Sequence, residues 1–151
     1  MLRLWEDETP VDFDGRFVRA KGAVVGPKPV QKPHPPILWG GHLPVSLKTA
    51  AQYADGWMPI GPRWFGDDYP HPEAYARMKV TIDGELRRRG RDPKKFVYTT
   101  LISTGDVAAI RKDVESYVSA GMNYFTLGDK AKDEGSLKNL ETVAREIGGS
   151  L

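Results

Sequence analysis

The chain is 151 residues long, 40% hydrophobic and 28% charged, and its 22 basic and 20 acidic residues leave a formal net charge of +2. That balance argues against nucleic acid or an anionic membrane surface as partner, and no run approaches the roughly 18 apolar residues of a membrane span. With no cysteine, disulfides, thiolate metal sites and cysteine nucleophiles are excluded, and the composition suits a cytoplasmic, single-domain globular chain.

Met1 to Trp5 reads as the last turn of a helix, and the acidic Glu6-Asp7-Glu8 that follows leaves no apolar signal-peptide core. Asp14-Gly15, set between Val11-Asp12-Phe13 and Arg16-Phe17-Val18, predicts a β-hairpin with a tight turn. The proline-rich stretch 26–36 forbids helix and favours an extended, polyproline-like arm.

From Ile37 the rhythm becomes strand then helix, four times over. A strand at about 37–40 leads to a helix near 44–54, whose Leu47, Ala50, Ala51 and Ala54 recur at helical spacing. A second strand near 57–60 leads to a helix near 72–89 that opens on Pro72, buries Tyr75, Met78, Ile82 and Leu86, and stops at Gly90. The β-branched and aromatic run 96–102 predicts a third strand. A helix capped by Asp106 follows, with Val107, Ile110, Val114, Tyr117 and Val118 on one face and Gly121 at its end. Tyr124 to Leu127 form a fourth strand. A last helix opens near Ser136, carries Leu137, Leu140, Val143 and Ile147 inward, and ends at Gly148-Gly149. Such alternation means right-handed βαβ units and a parallel sheet.

The candidate site is Gly40-Gly41-His42, where the first strand passes into the first helix. Glycines let the backbone turn and approach a ligand closely, and free N–H groups at a helix start can hold a phosphate. The plainer alternative is a tight βα turn with no ligand. His42 is either a solvent-exposed turn residue or an acid–base group, since its ring titrates near neutrality. Asp55 and Gly56 read as turn-formers, Gly56 through the left-handed conformation and Asp55 by bonding the turn backbone. Trp57 reads as packing. Trp39 faces either a ligand or the outer helices. Arg63, Trp64 and Phe65 form a loop after the second strand that either closes over a ring or stays on the surface. The run Arg87-Arg88-Arg89-Gly90-Arg91 complements a helix C-terminus. The scattered His34, His42 and His71 make no metal site, and no catalytic residue for hydrolytic or nucleophilic chemistry stands out.

Leu2-Arg3-Leu4-Trp5, the Phe13–Phe17 hairpin, Pro27–Ile37, Gly40-Gly41-His42, Ala54-Asp55-Gly56-Trp57 and the helix 107–120 with Gly121–Phe125 together resemble bacterial luciferase-like monooxygenases, most closely the F420-dependent ones. The resemblance implies a (β/α)8 TIM barrel, and a full barrel needs about 250 residues. The chain then corresponds to the C-terminal half: residues 1–36 as helix end, hairpin and proline arm, and 37–151 as four parallel βα units, all one partial barrel domain. It implies F420 or FMN as cofactor, a small organic substrate, redox chemistry carried by the cofactor, and Gly40, Gly41 and His42 as the phosphate-holding turn. Relatives often carry Ser or Thr after Gly-Gly-His; here Leu43-Pro44 follow, and Ser46 comes a turn later. A half-barrel leaves open sheet edges, so a homo-oligomer or a complementing barrel half is the expected partner.

Overall fold

The computed structural model describes residues 1–59, 71–103, 107–128, 138 and 141–146, and the account below concerns these. The chain divides into two compact units, Met1–Pro36 and Ile37–Leu151.

In the first unit a short helix, α1 (Leu2–Glu6), precedes an antiparallel pair, β1 (Val11–Asp14) and β2 (Arg19–Ala23). The hairpin forms where the Asp14-Gly15 signal predicts it, but Arg16 to Val18 belong to the connection rather than to the second strand. Gly15 does not take a positive φ, so the tight two-residue turn is absent and a wider loop closes through Gly15 N–H to the Val18 carbonyl at 2.9 Å. A bulge follows: Val11 pairs with Ala23 and Phe13 with Ala20, so β2 holds one extra residue. Gly22, at φ +62°, absorbs it and donates its N–H to Asp12 Oδ1 at 2.6 Å. The proline stretch bends at residues 26–27 and 30–33 instead of running as one extended arm. Lys28 gives it a structural role, its Nζ donating to the Leu4 and Asp7 carbonyls at 2.8 and 2.7 Å at the end of α1.

The second unit is α/β. β3 (Leu38–Trp39), β4 (Gly56–Trp57) and β5 (Val97–Tyr98) form a parallel sheet in that order; β6 (Leu101–Ser103) and β7 (Thr126–Gly128) form a second parallel pair. Three helices intervene: α2 (Pro44–Tyr53), α3 (Pro72–Arg88) and α4 (Val107–Ser119); residues 141–146 are helical as well. The third predicted strand, 96–102, is divided between β5 and β6 because its neighbours are staggered. β4 pairs with its first half and β7 with its second. Between them the bonding continues: Thr99 N–H reaches the Trp57 carbonyl at 3.1 Å, and the Thr100 carbonyl accepts from Thr126 N–H at 3.3 Å. One run of chain therefore serves two neighbours in succession.

The core lies between the strands and the helices. Trp57, Tyr75, Ile82, Leu86, Tyr98, Ile110 and Val114 are all at most 1% exposed. Their spacing in α3 and α4 follows the helical period that the sequence shows. Val118, expected inward, is 37% exposed; in the last turn the buried position is taken by its neighbour Tyr117, which leaves Val118 at the edge of the apolar face. Both long helices end in the same way. Arg91 N–H bonds the Leu86 carbonyl and Met122 N–H the Tyr117 carbonyl, each at 2.9 Å, across glycines of positive φ, Gly90 and Gly121. The basic run at the end of α3 does more than complement a dipole. Arg91 donates to the Ala51 and Ala54 carbonyls at 2.8 and 2.6 Å, capping α2 from another element. Arg88 and Arg89 both engage Glu85, and these guanidiniums, Arg89 foremost, hold its carboxyl below the usual carboxylate range.

Gly56 is required for a reason the sequence hides. It does not adopt the left-handed conformation. A Cβ there would lie 2.6 Å from Leu38 Cδ2 and 2.7 Å from the Val97 carbonyl oxygen, so glycine permits the three strands to close up. Asp55 bonds backbone, though across the sheet: its Oδ2 accepts from Ile37 N–H at 2.8 Å, tying the start of β3 to the start of β4.

Candidate functional site

The Gly40-Gly41-His42 turn leaves the end of β3 and enters α2, as the sequence predicts. The two glycines are not equivalent. A Cβ on Gly40 would meet only the Met58 carbonyl at 3.7 Å, an ordinary contact. Gly41 has φ +92°, and a Cβ there would lie 2.8 Å from Ser46 Oγ. The bend therefore depends on Gly41, and Ser46 stands directly against it.

The electrostatics of the turn favour an anion. Leu43 is the N-cap of α2 and supplies no side-chain cap; Pro44 occupies the first helical position; the first turn holds no acidic residue. The Gly40, Gly41 and His42 N–H groups have no hydrogen-bond partner among the described residues, and they lie at the positive end of a ten-residue helix. A donor set of backbone amides, with no acidic residue in the first turn of the helix it leads into, suits a phosphate. Leu43 and Pro44 contribute neither a hydroxyl nor, in Pro44's case, an N–H.

One contact at this turn has no counterpart in the sequence pattern. Trp57 Nε1 donates to the Gly41 carbonyl at 2.7 Å. The Gly41–His42 peptide is trans, so its C=O and N–H point in opposite directions. With the carbonyl held on the indole, the His42 N–H is aimed away from the packed layer that contains Trp57 and Tyr75.

The other sequence candidates scatter. Trp39 is the register partner of Trp57 and shares its face of the sheet, the helix side on which Trp57 stacks 4.8 Å from Tyr75; it is 39% exposed. His34 belongs to the first unit, 6.2 Å from the Trp5 ring. His71 is the N-cap of α3 and exposed. Arg63, Trp64 and Phe65, and the capping Asp106, lie outside the described residues. Among the described residues no three His, Asp or Glu side chains gather as a metal site, and no helix is long and apolar enough to cross a membrane.

A strongly perturbed tyrosine lies between β5 and α3. Tyr98 donates its hydroxyl to Asp83 Oδ1 at 2.5 Å, Lys79 Nζ donates to Asp83 Oδ2 at 2.9 Å, and the same ammonium sits 4.5 Å from the Tyr98 ring centre. Burial, reinforced by the Asp83 carboxylate, drives the Tyr98 pKa far above its ordinary value. With Tyr98 only 1% exposed, this cluster is a satisfied packing device, out of reach of a substrate.

Comparison with solved structures bears on the fold. An F420-dependent secondary alcohol dehydrogenase, solved with an F420–acetone adduct, matches with a TM-score of 0.70 at 19% identity, covering 93% of this chain and 57% of its own. A coenzyme F420-dependent tetrahydromethanopterin reductase from Methanopyrus kandleri matches with a TM-score of 0.68 at 15% identity, over 96% and 59%. A monooxygenase from Streptomyces bottropensis gives 0.52 at 21% identity, over 79% and 36%. The chain thus spans less than three fifths of the length of these solved structures, and at such identities the likeness is one of fold. The family model for luciferase-like monooxygenases matches residues 1–148. With that match extending over nearly its whole length, the chain belongs to the luciferase-like monooxygenase family.

Proposed function

We propose that this chain forms the cofactor-phosphate end of an F420- or FMN-dependent oxidoreductase that acts on a small organic substrate in the cytoplasm. Gly40, Gly41 and His42 hold the cofactor's phosphate through their backbone N–H groups. The observation that carries this reading is the set of amides just before α2 that have no partner among the described residues, beside a carbonyl bonded by Trp57. Both units are read as parts of one domain, the C-terminal half of a (β/α)8 barrel, in which ligands sit at the C-terminal ends of the strands. A bound reduced deazaflavin or flavin would supply the hydride or activate oxygen. This chain's residues bind and orient its tail. No side chain of the described residues is assigned to proton transfer, and His42 contributes its backbone. Lacking a hydroxyl at Leu43, the turn holds phosphate more weakly than a serine-bearing relative would.

Titration of the purified chain with FMN and with F420, each repeated against inorganic phosphate as competitor, tests the proposal. Saturable binding that phosphate weakens is expected for at least one of the two. Absence of binding to both would overturn it.

A second reading has its own support. β3 pairs with no strand on its outer side among the described residues, while Leu38 and Trp39 on it are 36% and 39% exposed. An open edge of this kind favours a partner, either a second copy or a complementing barrel half, with no catalysis by the isolated chain. Light scattering after size exclusion distinguishes the two readings: a clean monomer speaks against self-association.

A further inference from the structure

The geometry points to Trp57 as a positioning residue for the Gly40–His42 turn: its indole N–H holds the Gly41 carbonyl and thereby sets the direction of the His42 amide. The inference rests on the anion-binding reading of that turn and names the residue that makes the turn ready to bind.

The indole cannot rotate. Trp57 is fully buried, and its ring lies 4.8 Å from that of Tyr75, which meets Tyr117 edge-on at 5.5 Å. Tyr75 in turn donates its hydroxyl to the Thr99 carbonyl at 3.3 Å. The backbone of Trp57 is held on both sides, being paired in register with Trp39 and with Tyr98. The turn it touches is the opposite case. Two successive glycines have the widest conformational choice of any dipeptide, and ordering them on a ligand carries the largest entropic cost. The 2.7 Å bond from Nε1 joins this glycine backbone to a fully buried side chain. A turn ordered before the ligand arrives binds more tightly than one ordered by it. A tryptophan that served only to fill space would act through its ring alone, and the N–H could be removed without consequence for the turn.

The test removes the N–H and keeps the shape. The chain is prepared with benzothienylalanine at position 57, where sulfur replaces the N–H, and separately as Trp57→Phe. Tyr75→Phe serves as control, since it removes a hydrogen bond from the same aromatic stack without touching the turn. Two readouts are taken. Without ligand, the N–H order parameter of His42 is expected to fall from the rigid range near about 0.85 to below about 0.6 in both position-57 variants. With FMN and F420 as probes, the dissociation constant of whichever binds is expected to rise about tenfold in both. Tyr75→Phe is expected to lower the melting temperature and leave both readouts unchanged. If the benzothienyl variant keeps the wild-type order parameter, the inference is overturned, whatever the titrations give. If wild type binds neither cofactor, the anion reading fails by itself, and the ligand-free order parameter still decides whether Trp57 orders the turn.

Discussion

Gly40 and Gly41 look alike in the sequence, and the structure predicts that they respond differently to the same substitution. Gly41→Ala forces an L-residue into φ +92° and places its Cβ 2.8 Å from Ser46 Oγ and 3.1 Å from Ser46 Cβ. The left-handed conformation alone costs roughly 1–2 kcal/mol. The serine hydroxyl is the free end of a short side chain and can swing away, but its Cβ is fixed to the helix, so some overpacking remains. A total of about 2–3 kcal/mol follows. Gly40→Ala carries no positive φ and meets only an ordinary 3.7 Å contact, so its effect stays within about 0.5 kcal/mol. Urea unfolding of both variants beside wild type, compared at constant denaturant slope, reads the difference as a shift of the midpoint. Ser46→Ala in the Gly41→Ala background recovers only the part due to the hydroxyl. Equal destabilisation by the two single variants, or a loss confined to Gly40→Ala, would refute the reasoning.

Three further outcomes are expected. Gly56→Ala sets a Cβ 2.7 Å from the Val97 carbonyl, which cannot move without parting β4 from β5; it destabilises by about 1–3 kcal/mol or more, and Leu38→Ala does not rescue it in urea titrations. Arg91→Met keeps the length of the stem but removes two charge-assisted bonds to the end of α2; a loss of about 2–3 kcal/mol in urea unfolding is expected. The raised pKa of Tyr98 in the folded chain makes stability depend on alkaline pH: the contribution is complete below the ordinary value of 10.0 and declines as pH rises above it, because the unfolded chain then releases a proton that the folded chain retains. Tyr98→Phe therefore removes part of the decline measured above about pH 10. A decline of the same steepness in the variant would argue against the Tyr98–Asp83 pair as its source.

What was legible in the sequence was local. The helical period of α2, α3 and α4, the glycines that end α3 and α4, and the hairpin around Asp14-Gly15 depend on neighbours a few residues apart, and each appears close to where the pattern places it. The family too was legible, because its residues are spread along the chain in order. Tertiary structure decided which of those residues bear weight. The division of 96–102 into β5 and β6 depends on the stagger of two other strands. Gly56 is needed for the approach of Leu38 and Val97, and Arg91 for an α2 terminus 37 residues away in sequence. Trp57 reaches the Gly41 carbonyl across 16 residues. Periodicity reports which side of an element is apolar, since that is a property of consecutive side chains. It carries no record of which distant carbonyl a buried N–H will meet, because that meeting exists only once β3 and β4 lie side by side.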